Sequence, residues 1–154
     1  MATIAYKTGN LLDSKAQMLV NTVNCVGVMG KGLALEFRNR FPSNYEAYRF
    51  MCKKGLVEIG TMLVTITPGS SGPNPRFLCN FPTKEHWRNP SKLTYIKRGL
   101  AALARSICFH KVRSIAIPPL GCGNGGLDWQ TVLPMILAAM EPIDVEVEIF
   151  GSPP

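Results

Sequence analysis

Long apolar runs are what this 154-residue sequence most plainly lacks. No stretch of about 18 uninterrupted hydrophobic residues occurs, so no transmembrane helix is expected. The opening MATIAYKTGN has no charged-then-apolar leader, so no secretory signal is expected either, and the chain reads as soluble and cytoplasmic. Histidine is scarce: only His86 and His110 are present, and the cysteines form no C-x-x-C pair, so a structural zinc site has no ligand set. Cys25, Cys52, Cys79, Cys108 and Cys122 are odd in number and lie mostly in apolar runs. They read as buried thiols of a reducing compartment. Acidic residues are also few, 10 against 17 Lys and Arg, which leaves a formal charge of +7. That excess suits an anionic partner such as nucleic acid or phosphate, and general solubility explains it equally well.

What is present is enough for one domain spanning residues 1–154, with 46% hydrophobic residues to build a core. TIAYKTGNLL and AQMLVNTVN read as two strands with a turn at Gly9 and Asn10. The loop CVGVMGKG leads into LALEFRNRF, where Leu33, Phe37 and Phe41 recur every four residues as the stripe of an amphipathic helix. Pro42 is expected to end it, and Ser43 to cap a second helix running to Lys54 before Gly55. TMLVTIT and RFLCNF are two more strands around the turn-rich PGSSGPNP. Ile96, Leu100, Leu103 and Ile107 mark the longest helix, with Asn89 and Pro90 suited to its start. VRSIAIP, the loop PLGCGNGGL, a helix capped by Asp128 and carrying Leu133, Ile136, Leu137 and Met140, and the strand DVEVEIF complete the chain. Strands alternating with helices predict an α/β fold with a mixed, largely parallel sheet covered on both faces.

Two glycine-rich loops stand out. Gly121, Gly123 and Gly126 match G-x-G-x-x-G between a strand and a helix, the spacing that brings backbone N–H groups against a pyrophosphate. A dinucleotide-binding Rossmann unit is excluded by position, because only one helix and one strand follow. GVMGKG resembles a phosphate loop, yet Lys31 is followed by Gly32 where a Walker loop needs Ser or Thr for magnesium. Each loop ends a strand and precedes a helix. In an open α/β sheet both face one crevice, where together they can clasp a diphosphate.

VNTVNCVGVMGKGLA and PPLGCGNGGLDW together resemble the ligand loops of macrodomains, the three-layer α/β/α modules that bind ADP-ribose. With NFPTKEHWRNPS between them, the resemblance covers essentially the whole chain. It is strongest to the macrodomains of the DNA ADP-ribosyl glycohydrolase (DarG) antitoxins, and weaker to the vertebrate terminal ADP-ribose protein glycohydrolase. The resemblance implies an enzyme that takes ADP-ribose off thymidine in single-stranded DNA. It also implies a partner, the cognate DNA ADP-ribosyltransferase toxin, and no cofactor or metal. Hydrolysis of ADP-ribosylated glutamate on proteins, or non-catalytic reading of ADP-ribose, are the alternatives.

By the same resemblance Lys84 is the catalytic lysine and Asn24 faces the distal ribose. Gly9, Asn10 and Leu11 fall where relatives meet adenine, although many of those have Asp at the position of Asn10. Thr22, Val23, Cys25, Val28, Met29, Gly30, Lys31 and Gly32 would line the diphosphate and distal ribose, with Thr83 beside them. Pro119, Leu120, Gly121, Cys122, Gly123, Asn124, Gly125, Gly126 and Leu127 would close over the diphosphate. Gly125 stands where the vertebrate enzyme has an assisting Asp. Its lysine-adduct scheme therefore does not transfer directly.

Cleaving an ADP-ribosyl bond develops positive charge on the anomeric carbon and negative charge on the leaving base. A neutral Lys84 amine could attack that carbon, provided its pKa falls from about 10.4. As an ammonium it could instead protonate or stabilise the departing base. The sequence is compatible with both. Glu85 and His86 are further candidates for proton traffic. Trp87, with Arg88 a possible DNA contact, either stacks on a base or anchors the next helix, and the core role is favoured. Trp129 is expected to pack the last helix. Lys31, Arg38, Arg40, Arg88, Lys92 and Arg98 are candidate phosphate contacts, or a solvated basic face.

Overall fold

The computed structural model describes residues 1–70, 72 and 75–154. Six strands form one sheet in the order β1 (Thr3–Tyr6), β6 (Glu146–Ile149), β5 (Ser114–Ile117), β2 (Met18–Asn24), β4 (Phe77–Lys84) and β3 (Leu63–Ile66). Every pairing is parallel except β3 with β4. Helices α1 (Gly32–Arg40) and α2 (Pro42–Lys53) follow β2, α3 (Leu93–Phe109) joins β4 to β5, and α4 (Trp129–Met140) joins β5 to β6.

The period-two alternation of the central strands assigns each helix to a face. Met18, Val20, Phe77, Cys79, Phe81, Ile115 and Ile117 point toward α3 and α4, where Ile96, Leu100, Leu103, Val132 and Ile136 complete the main core. Leu19, Leu78 and Ala116 point the other way, toward Phe37 of α1 and Leu11 and Leu12 of a short 3-10 helix. Three layers result, with helices on both faces of a largely parallel sheet. No helix among the described residues is long and apolar enough to cross a membrane.

Several local expectations change. Pro42 does not merely stop α1: it is the first residue of α2, where its missing N–H costs nothing, and Phe41, not Ser43, occupies the cap. α3 starts at Leu93 behind Lys92, not at Asn89 and Pro90, because Ser91 is held back by donating its N–H to the Gly125 carbonyl. Asp128 caps α4 as expected, accepting from the N–H of Gln130. The expected turn over 68–75 falls partly outside the described residues. Of the five cysteines, all unpaired, only Cys79 is buried, while Cys108 is exposed. Burial pushes the Cys79 thiol up to about 12.

Beneath α2, a chain of buried amides joins helix to sheet. Asn21 and Asn80, partners across β2 and β4, are linked at 3.3 Å. Asn80 exchanges two hydrogen bonds with Asn44 of α2, and the Thr65 hydroxyl donates to Asn44 at 2.7 Å. On the opposite face α3 approaches β4 most closely at Gly99, where a Cβ would enter the Phe81 ring. Gly99→Ala is therefore expected to lower stability by about 2 kcal/mol through overpacking. A urea unfolding midpoint equal to that of the parent protein would contradict this packing.

Candidate active site

β2 and β5 lie side by side, yet the chain leaves them in opposite directions. After β2 it runs through α1 and α2 toward β3 at one edge, and after β5 through α4 toward β6. The two loops diverge and leave a crevice at the carboxyl ends of the strands. A cavity of about 950 Å³ occupies it, lined by both glycine loops and by the end of β4.

The first loop is organised by Asn24. This side chain is 7% exposed, and all its hydrogen-bonding atoms are engaged. Its Nδ2 donates to the Val28 carbonyl at 2.8 Å, and its Oδ1 accepts from the N–H groups of Val26 and Val28. Tyr48 of α2, fully buried, donates its hydroxyl to the Asn24 carbonyl at 2.7 Å and to Oδ1 at 2.8 Å. Burial raises the Tyr48 phenol far above its usual range, so it remains a donor at any physiological pH.

Lys84 enters from the neighbouring strand. Val23 faces Pro82 but Asn24 faces Lys84, so Thr83 is an extra residue in β4. Such a bulge re-aims the side chains beside it. Asn24 and Lys84 thus become cross-strand neighbours at the cavity floor. The junction is tied by the Cys25 N–H, which donates to the Glu85 carbonyl at 3.0 Å, and by the Cys25 thiol, 3.5 Å from the Lys84 carbonyl. Burial first, then the nearby Cys52, pushes the Cys25 thiol up to about 11, so it is a poor nucleophile at neutral pH. Lys84 is half-buried and its Nζ donates to the Trp87 carbonyl at 3.3 Å.

The second loop folds back on itself. The Leu127 N–H donates to the Gly121 carbonyl at 2.9 Å, and Gly121 and Gly126 adopt φ of +73° and +79°. At Gly125 a Cβ would collide with the Gly121 carbonyl and the Ser91 hydroxyl. No side chain fits at that position, so there the loop offers backbone alone. Across the cavity, a Cβ on Gly32 would stand 3.6 Å from Nδ2 of Asn124, which shows how closely the two loops approach.

The cavity brings together Thr22, Val23, Asn24, Val28, Gly30, Lys31 and Gly32 from the first loop and its strand. Thr83, Lys84, Trp87 and Arg88 line it from β4, and Pro119, Gly121, Gly123, Asn124 and Gly125 from the second loop. Leu33, Ala34 and Pro118 also line it, which the sequence reading did not anticipate. Other expected residues stand elsewhere. Met29 is fully buried among Val23, Tyr48 and Val57 behind the loop. Leu120 is in the main core, with Cys122 and Leu127 packed against it, while Cys25 and Gly126 do not line the cavity. Gly9, Asn10 and Leu11 follow the edge strand: Leu11 is core, and Asn10 caps the 3-10 helix and donates to Glu36 at 3.3 Å. Trp87 is 47% exposed at the cavity mouth, not in the core, with the Arg88 guanidinium 4.7 Å above its ring. Trp129 does pack on the core, and its indole donates to the Ser152 carbonyl.

Every ionisable side chain lining the cavity is a cation: Lys31, Lys84 and Arg88. Glu85 and His86 are outside it, Glu85 accepting from the Tyr95 hydroxyl and His86 from the Arg88 N–H. No group of three or more His, Cys, Asp or Glu suited to a metal occurs among the described residues. Backbone donors and cations around a cavity of this size suit a dianionic ligand, such as the diphosphate of a nucleotide sugar.

Comparison with known proteins agrees with this geometry. The family model for the Macro domain matches residues 20–136. The chain is 50% identical over 148 residues to the DNA ADP-ribosyl glycohydrolase of Mycobacterium tuberculosis, covering 96% of this chain and 42% of that protein. It is 49% identical over 150 residues to the Thermus aquaticus enzyme of the same name, covering 96% of this chain and 41% of that protein. The chain thus spans about two fifths of the length of these curated relatives. Among solved structures, the macrodomain of Mycobacterium tuberculosis DarG superposes with a TM-score of 0.94 at 48% identity, covering 99% of this chain and 100% of that one. Thermosipho africanus DarTG in complex with ADP-ribose gives 0.87 at 32% identity, covering 97% of this chain and 43% of that one.

Because Tyr48 holds Asn24 through a buried hydroxyl, Tyr48→Phe is expected to cost about 1–2 kcal/mol of stability and to loosen the first loop. Titration calorimetry with ADP-ribose should show weaker binding in the variant. Unchanged affinity would mean that the loop keeps its shape without the Tyr48 bond.

Proposed function

The chain belongs to the Macro domain family, and from that premise we propose that it is a DNA ADP-ribosyl glycohydrolase. Its substrate in this reading is ADP-ribosylated thymidine in single-stranded DNA. Residues 1–154 act as one macrodomain unit, in the cytoplasm, as the antitoxin to a DNA ADP-ribosyltransferase toxin. The observation that carries the reading is the bulge that sets Lys84 beside Asn24, in a cavity whose ionisable groups among the described residues are the cations Lys31, Lys84 and Arg88. The names of the relatives support the substrate.

In this mechanism the two glycine loops hold the diphosphate, and the distal ribose rests near Asn24. With its polar atoms committed to the loop, Asn24 acts mainly by shaping the floor under the ribose. As the bond between anomeric carbon and thymine nitrogen breaks, the Lys84 ammonium gives its proton to the departing thymine anion. Water then adds to the anomeric carbon and returns a proton to the Lys84 amine. Atoms and charge balance as hydrolysis. Among the described residues no carboxylate lines the cavity to take either proton, which favours one lysine acting first as acid and then as base. Trp87 and Arg88, stacked at the mouth, are positioned to receive the nucleotide next to the modified one.

The decisive assay is release of ADP-ribose from a thymidine-ADP-ribosylated single-stranded oligonucleotide. Lys84→Ala is expected to slow release by at least about 100-fold while ADP-ribose binding persists. Cyanoborohydride added during turnover is expected to trap no covalent adduct on Lys84. A trapped adduct would assign the lysine to attack on the sugar instead. A parent protein inert on the oligonucleotide but active on ADP-ribosylglutamate would move the substrate to protein, and one inert on both would leave a reader of ADP-ribose.

A further inference from the structure

Five of the eight arginines fall into two groups. Arg40 is bound to Asp13 at 2.9 Å and to the Leu12 carbonyl, Arg76 donates to the carbonyls of Ser14 and Ala16, and Arg98 donates to that of Ile59. These three hold the fold together. Arg38 and Arg49 do neither. Both guanidiniums lie over the single ring of Tyr45, at 4.4 and 5.6 Å from its centroid. Among the described residues Arg38 meets no carboxylate, and Arg49 meets only Glu46, at 3.8 Å. Two cations sharing one ring repel each other, and an anion placed between them relieves that repulsion.

The pair is continuous with the cavity. Ala34, which lines it, falls on the same helical face as Arg38, four residues on, and Lys31, which also lines it, is the N-cap of the same helix. Arg49 lies directly beneath the first loop: a Cβ on Gly27 would stand 4.0 Å from the Arg49 Cα. In that first loop Val26 and Val28 are exposed, and Val28 lines the cavity. Of the acidic residues on α1 and α2, Glu36 accepts from Asn10 at 3.3 Å and Glu46 meets Arg49 at 3.8 Å, and among the described residues none lines the cavity.

We infer that Arg38 and Arg49, splayed on Tyr45, form a phosphate-binding track on which a single-stranded nucleic acid leaves the cavity across the first loop. The track leaves the cavity by the first loop, while Trp87 and Arg88 line the cavity from the end of β4, so the modified nucleotide is met by cations from two elements. This rests on the reading that the substrate is single-stranded DNA, and it adds where the flanking strand runs. Phosphates are the ligand, so the track reads charge and not base sequence.

The test is fluorescence anisotropy of an unmodified single-stranded oligonucleotide over a range of salt, comparing the parent protein with R38Q/R49Q and R38K/R49K. Loss of two phosphate contacts should weaken binding about tenfold at low salt and reduce the log–log salt slope by about 1.4. R38K/R49K should restore the slope. ADP-ribose affinity and the thermal midpoint should stay unchanged, which separates the effect from misfolding. The track is overturned if parent and R38Q/R49Q bind the oligonucleotide alike, or fail alike to bind it. It is also overturned if a polyglutamate peptide competes as well as DNA and loses affinity equally in the variant, since the surface then serves an acidic protein. The hydrolase reading fails separately, in the release assay, where the parent protein alone decides.

Discussion

One buried hydroxyl sets the geometry on which the cleft depends. Tyr48 reaches from α2 to both oxygens of Asn24, and Asn24 in turn ties down Val26 and Val28. The same residue is the last of β2, paired with Lys84 across the bulge in β4. Helix, loop and lysine therefore share one anchor, in surroundings where leaving any of these groups unpaired is costly. The amide chain of Asn21, Asn80 and Asn44 fixes the register of α2 on the sheet, and so keeps Tyr48 in reach.

From that anchor the rest follows by topology. β2 and β5 send their chains in opposite directions, which opens the crevice. The second loop then needs glycine where it packs on itself, at Gly121 and most strictly at Gly125, against the Gly121 carbonyl and Ser91. Ser91 docks the second loop through its backbone, in the same segment that carries Lys84 and Trp87. The two walls and the lysine are thus connected, and the charge facing the ligand is of one sign.

The parts legible in the sequence were those written in local patterns. Strand, glycine loop and helix follow each other in CVGVMGKG and PLGCGNGGL, and the loops do meet at one cavity. Lys84 is singled out by the motif around it, and it does line the cavity. Its bulge is not, because a bulge is a relation between strands. Trp87 reads from the sequence as either a base stacker or a core anchor, with the core favoured, yet the segment is held short of α3 by Ser91 and leaves the ring exposed. Met29 is expected at the ligand from its place in the loop, but its side chain is buried among Val23, Tyr48 and Val57, contacts that no local pattern announces. The Asn21, Asn44 and Asn80 network depends on strand register, and its residues look like ordinary polar positions in the sequence.

The central claim is that both glycine loops bind one diphosphate, with the distal ribose above Asn24 and Lys84. A crystal structure with ADP-ribose bound tests it most directly. The account predicts the diphosphate between backbone N–H groups of residues 28–32 and 121–126, and the anomeric carbon beside the Lys84 Nζ. A diphosphate held by one loop only, or an anomeric carbon remote from Lys84, would contradict it.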